Sequence, residues 1–94
     1  MDDIGNERNG SRGVFVIARD GRRLAELHYT VGGSIAILDH TEVDDALRGT
    51  GAGARLVKAA VEWARAEKLH IMPLCPFAKS VFEKTPELRD VLKT

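Results

Sequence analysis

The stretch "LRGTGAGARLV", residues 47–57, places glycine at alternate positions, Gly49, Gly51 and Gly53, at the start of a run with helical spacing. Glycine inside a helix costs about 0.5–1 kcal/mol relative to alanine, so this density at a helix start needs a cause. A tight strand-to-helix turn with close helix–sheet packing is one. Close approach of an anionic ligand to the backbone is the other. The first N–H groups of a helix have no internal partner, and with the helix dipole they favour phosphate. Arg48 adds a fixed positive charge at the mouth.

Downstream of the glycines, Leu56, Val57, Ala60, Val61 and Ala64 recur at helical spacing from Thr50 to Lys68. Trp63 flanks that stripe, while Arg55, Lys58, Glu62 and Arg65 fill the other side. "LHIMPL" (69–74) has the length and composition of a short buried strand. "PFAKSVFEK" (76–84) predicts a second helix, and "TPELRDVL" (85–92) a third, with Thr85 as cap and Pro86 in its first position.

Upstream, "VFVIA" (14–18) predicts a strand, and Asp20-Gly21 a hairpin turn, because both residues tolerate positive φ. In "LAELHYTV" (24–31), Ala25, Leu27, Tyr29 and Val31 fall on one face and Glu26, His28 and Thr30 on the other. Gly32-Gly33 predicts a second turn, and "SIAILDHTEV" (34–43) a third strand. The expected fold is α/β (α+β): an antiparallel meander, then a β-α-β crossover with one parallel pair, then short C-terminal helices. Its expected extent is one domain over 14–94, preceded by a flexible polar leader over 1–13.

Ninety-four residues suffice for one domain with a single core. A formal net charge of zero argues against general nucleic-acid or membrane-surface binding. One cysteine, Cys75, cannot form an internal disulfide. The polar N-terminus has no signal-peptide or membrane-span pattern, so a cytoplasmic protein is expected. No metal site is expected. Two nucleotide motifs fail. Gly49, Gly51 and Ala54 satisfy G-x-G-x-x-G/A, but that fingerprint should follow a first parallel strand directly. Here "DDALR" intervenes after an antiparallel meander. No Walker A string is present.

"RGTGAG", Arg48 to Gly53, matches the R/Q-x-x-G-x-G/A signature of the GCN5-related N-acetyltransferases. The chain resembles their small, single-domain YjdJ-type branch over about residues 14–92. The likeness is strongest over 37–77, including "HTEV" before the turn and "PLCPF" after the next strand. The resemblance implies binding of acetyl-CoA (coenzyme A). It implies that the strands beside the glycine turn splay apart, with the backbone of Thr41, Glu42 and Val43 facing pantetheine. The N–H groups of Arg48, Gly49, Thr50, Gly51, Ala52, Gly53 and Ala54 would hold the pyrophosphate. It further implies acetyl transfer to an amine acceptor, a small molecule or a protein lysine or N-terminus; the alternative is a non-catalytic acyl-CoA binder or sensor. Two departures bear on that choice. Helices that larger members carry after their first strand are replaced by the "RDGRR" turn, and their final strands are expected to be missing. Phe82 stands where many members have a tyrosine that protonates the leaving thiolate.

Amine acetylation needs a neutral amine, so a base is useful. His40 and Glu42, two apart on one strand, share a face and are the candidates. With a two-residue turn at Gly32-Gly33, Val31 opposes Ser34 and Ala25 opposes His40. That places them on the face of Leu27, Tyr29 and Leu38. His28 and His70 have structural roles in this reading. Cys75 precedes Pro76 and so occupies the N-cap of the second helix, where the positive helix end favours thiolate. It is a candidate to contact, or briefly accept, the acetyl group. The other reading is a buried small apolar residue beside a cap.

Overall fold

The computed structural model describes residues 4–93. Five strands form one sheet in the order β1 (Ile4–Asn9), β2 (Arg12–Arg19), β3 (Arg22–Gly32), β4 (Ile35–Val43) and β5 (His70–Pro73). The first four are antiparallel neighbours and β5 runs parallel to β4. Helix α1 (Ala52–Glu67) makes the crossover, and α2 (Pro76–Lys84) follows β5. The mixed sheet with its helices is the α+β fold expected.

The stripe on α1 is buried as its spacing requires: Leu56, Val57, Ala60, Val61 and Ala64 are inaccessible to solvent. They meet Phe15, Ile17, Leu27, Tyr29, Ala36 and Leu38 from the sheet. Fully burying a side chain such as Leu56 contributes about 1.5–3 kcal/mol. Trp63 seals one edge, its ring 4.6 Å from Tyr29 and 5.6 Å from Phe15. Helix α1 stops at Lys68, which takes a left-handed conformation and donates its N–H to the Ala64 and Arg65 carbonyls. Asp20 and Gly21 both have positive φ, the geometry of a two-residue hairpin turn. Both helices pack on one face of the sheet, α1 across β2 to β5 and α2 against β4 and β5.

The flexible leader expected over 1–13 is not what forms from Ile4 onward. Residues Ile4–Asn9 are an edge strand paired with β2, and Arg12 and Gly13 begin β2 itself; residues 1–3 lie outside the described residues. No apolar alternation marks the strand, because its side chains are almost all exposed. A polar edge strand leaves no hydrophobic alternation and resists edge-to-edge association. Specific polar bonds hold it instead. The Tyr29 hydroxyl donates to Asn6 Oδ1 at 2.6 Å, and Arg23 pairs with Glu7.

The third helix is also corrected. Pro86–Val91 is a 3₁₀ segment, and the Thr85 side chain makes no capping bond, although Pro86 does hold the first position. Leu88 and Val91 are buried, and Arg65 of α1 ties the segment down through Asp90 and the Glu87 carbonyl.

The β3–β4 register differs in two ways. The turn is Gly33-Ser34, with Gly32 opposite Ile35 and Val31 opposite Ala36. That shift by two leaves the faces unchanged. A β-bulge then interrupts the ladder: Tyr29 opposes Leu38, but His28 opposes His40, with Asp39 inserted. One inserted residue sends every later side chain to the other face. Thr41 therefore points toward the helices, paired with Leu27. His40 and Glu42 lie on the open face opposite His28 and Glu26, and Ala25 opposes Val43. The expectation that His40 and Glu42 share the face of Leu27, Tyr29 and Leu38 is overturned.

Candidate functional site

Strand β5 pairs with β4 only as far as Leu38–Pro73. The amides of Leu74 and Cys75 both donate to the Leu38 carbonyl, at 3.0 and 3.2 Å, and the chain then turns into α2. Strand β4 runs on through Val43 without a strand partner on that side among the described residues. A 3₁₀ turn, Asp45–Leu47, capped by the Asp44 side chain, leads to the glycines.

Gly49 and Gly51 both have φ of +81°, a conformation that side chains rarely adopt. Gly51 is the N-cap of α1, makes no side-chain cap, and no acidic residue occupies the first turn. The first helical bond is Arg55 N–H to the Gly51 carbonyl at 3.0 Å. The amides of Ala52, Gly53 and Ala54 thus have no helical acceptor. Gly53 serves a different end. A Cβ there would lie 2.5 Å from the Phe77 ring, so its absence lets α2 approach α1.

These residues border a cleft of about 540 Å³. One wall is Val43, Leu47, Arg48, Gly49, Gly51, Ala52, Gly53 and Ala54; the other is Phe77, Ser80, Val81, Lys84 and Thr85. The second wall is invisible in the sequence signature, because α2 arrives through tertiary packing. Its one legible sign is spacing: Phe77, Ser80, Val81 and Lys84 recur at helical intervals. Two of the expected amides face elsewhere. Arg48 N–H bonds the Asp45 carbonyl and Thr50 N–H bonds the Leu47 carbonyl, each at 3.1 Å, and Thr50 does not line the cleft. The Arg48 guanidinium pairs with Asp45 at 2.9 Å with both groups exposed. Such a pair is worth about 0–1 kcal/mol and is easily exchanged.

Cys75 lies behind this cleft rather than on its wall. It is the N-cap of α2, 8% exposed, with Sγ 3.3 Å from Thr41 Oγ1. Burial pushes its pKa up. The Thr41 hydroxyl and the amides of Ala78, Phe77 and Thr41 outweigh that, and the net effect is downward. The bulge makes this contact, since it is what turns Thr41 inward. Phe82, 2% exposed, belongs to the core and does not line the cleft.

On the open face, His40 Nε2 lies 3.0 Å from Glu42 Oε1, and His28 Nε2 lies 2.8 Å from Glu26 Oε1. The imidazole centroids are 6.2 Å apart. The His28 bond, more than any other contact, holds Glu26 below the usual carboxylate range; burial opposes it and Arg23 adds to it. No group of His, Cys, Asp or Glu among the described residues has metal-binding geometry. No helix there is long and apolar enough to cross a membrane.

A family profile described as GCN5-related N-acetyl-transferase matches residues 14–91, a span that includes the glycine turn opening α1. The chain belongs to that family. Protein NATD1 of Bos taurus is 33% identical over 82 residues, covering 85% of this chain and 73% of its own. The NMR structure of a GCN5-like protein from Staphylococcus aureus is similar at a TM-score of 0.70 and 34% identity, over 99% of this chain and 91% of that one. The Escherichia coli ribosomal-protein-S18-alanine N-acetyltransferase shares the fold at a TM-score of 0.69. It is 16% identical, over 83% of this chain and 54% of its own. Family and fold support acetyl transfer as the class of activity, and members of the family use acetyl-CoA.

Proposed function

We propose that this chain binds acetyl-CoA across the cleft between α1 and α2 and passes its acetyl group to an amine. The observation that carries this reading is the uncapped start of α1. A helix end with glycine at its cap, no acidic residue and open amides beside a cleft suits a pyrophosphate. Gly49, Gly51, Ala52, Gly53 and Ala54 would hold the diphosphate through backbone N–H groups, with Arg48 and Lys84 supplying charge. Thr41, Glu42 and Val43, on the unpaired length of β4, would receive the pantetheine arm. The thioester supplies an activated acyl group. The adenosine-bearing end then lies toward the solvent mouth and the thioester toward Thr41 and Cys75.

Cys75, behind the cleft and beside Thr41, is the nucleophile that the acyl end of the pantetheine arm would meet. Its thiolate is favoured by Thr41 and by the start of α2. Attack on the thioester would form a new carbon–sulfur bond to Sγ, break the bond to coenzyme A, and release the coenzyme thiolate. Phe82 favours the second reading, a binder or sensor that does not turn over, because no tyrosine hydroxyl stands there to protonate that thiolate.

Two measurements test the proposal. Acetyl-CoA at about 100 times its Kd stabilises by about 2.7 kcal/mol and raises Tm by several degrees; no shift with acetyl-CoA or coenzyme A would refute binding. Release of free coenzyme A on adding amines separates the transferase from the binder.

A further inference from the structure

We propose that Lys84 holds the 3′-phosphate on the ribose of coenzyme A, so that the cleft tells the complete coenzyme from its dephospho form. This rests on the cofactor-binding reading above. It names a specificity-determining residue at the opposite end of α2 from Cys75.

The cleft is one-sided in charge. No carboxylate is among its lining residues, and its two charged groups, Arg48 and Lys84, are both cationic. They are not equivalent. Arg48 lies in the loop before α1 and already pairs with Asp45. Lys84 has no ion pair or hydrogen bond from its side chain among the described residues. A lysine in the last turn of a helix commonly answers the exposed carbonyls there. In α2 that task is taken by Arg89. Its Nε donates to the Phe82 carbonyl at 2.9 Å, and its Nη2 donates to the Glu83 carbonyl. Thr85, also on the cleft, makes no side-chain capping bond, so its hydroxyl can donate to the same phosphate. Ser80 differs: its hydroxyl already donates to the Phe77 carbonyl at 2.7 Å.

Position assigns the ligand group. Beyond its diphosphate, coenzyme A carries a separate phosphate on the 3′ oxygen of its ribose, at the far end from the thioester. Such a monoester carries about −1.5 to −2 charge at neutral pH, and a lysine binds it as a point charge. The Phe77 ring lies against Gly53 in the first turn of α1, where the open amides are. Cys75 is two residues before Phe77, and Lys84 is seven residues after it. Those seven residues are two turns, about 10 Å along α2. Along α2 the order is thiol, contact with the α1 start, then cation. Along the coenzyme it is thioester, diphosphate, then 3′-phosphate.

The test measures affinity for coenzyme A and for 3′-dephospho-coenzyme A by titration calorimetry, in wild type, Lys84→Gln and Lys84→Arg. Thermal melting without ligand checks that each is folded. Wild type should bind coenzyme A about tenfold more tightly than the dephospho form, the difference that one charge-assisted contact makes. Lys84→Gln should lose that preference and bind the dephospho form as wild type does. Lys84→Arg, which keeps the charge, should keep the preference. A role for Lys84 in α2 alone would change melting without distinguishing the two ligands. Equal weakening of both ligands in Lys84→Gln would assign the ammonium to the diphosphate. That result, a preference that survives in Lys84→Gln, or equal binding of both forms by wild type overturns the inference and leaves cofactor binding standing. Failure of wild type to bind either form overturns both.

Discussion

Two helix starts meet at the site, and they are built in opposite ways. Helix α1 opens on Gly51 at positive φ with no side-chain cap, so its first amides are left to whatever enters the cleft. Helix α2 opens on Cys75 with Pro76 in the first position, which removes one open N–H, and the Cys75 thiol sits beside the remaining amides and Thr41. The first start offers backbone to a ligand. The second turns the same positive end on a thiol of its own chain. Under the proposed function, the helix N-termini here are divided between anchoring a cofactor and tuning a thiol.

The largest expected effect tests the second start. Cys75→Ala should abolish acyl adduct formation, seen by intact mass after incubation with acetyl-CoA. If the acyl group passes through Sγ, coenzyme A release with an amine should fall by about a hundredfold or more. Acetyl-CoA binding should survive, because the anchoring amides belong to the other helix. Unchanged turnover in Cys75→Ala, with no wild-type adduct, would reduce the residue to packing.

A smaller effect tests the first start. Gly53→Ala brings a methyl group against Phe77, whose ring is partly exposed and can yield. Acetyl-CoA affinity should fall about tenfold, equal to about 1.4 kcal/mol, measured by calorimetry. Adding Phe77→Ala removes the clash and separates the roles. If Gly53 exists for a close ligand, affinity stays low while stability recovers. Recovery of both would make it a packing glycine. Gly51 is the poorer probe, since any side chain at φ +81° strains the fold itself.

Those glycines show where the sequence was informative. The α1 stripe, the Asp20-Gly21 turn and the bounds of α2 were legible because each depends on local chemistry: helical spacing, tolerance of positive φ, proline at a first position. Strand β1 was not, because polar side chains on an edge strand leave no apolar alternation. The bulge at Asp39 was not either. Its cause is pairing with β3 across the sheet, and no residue type announces it. Yet that insertion decides the candidate site, since it sends Thr41 to Cys75 and gathers Glu26, His28, His40 and Glu42 on one face. His28 bonds Glu26 of its own strand, and its neighbour His40 is one that only the register supplies. Phe77, Ser80 and Lys84 entered the cleft by the same route, through packing of α2 on α1.

The smallest effect concerns how α2 and Thr41 share the tuning of Cys75. Thr41→Val keeps the shape and removes the hydroxyl 3.3 Å from Sγ. The folded thiol is held below its ordinary value of 9.0, so thiolate forms at lower pH than in the unfolded chain. The sign for stability follows by linkage. The contribution is fully present above the unfolded pKa and is lost as pH falls through the folded one. Wild type should therefore gain on Thr41→Val as pH rises through that window, and converge with it below. The iodoacetamide rate–pH profile should move upward in Thr41→Val, while overall stability at neutral pH changes by about 1 kcal/mol or less. An unmoved profile would leave the amides of Phe77, Ala78 and Thr41 as the tuners. The two helix starts would then differ only in what each amide set faces. A moved profile means that the Thr41 hydroxyl contributes as well, and that the bulge which turns it inward is part of the tuning.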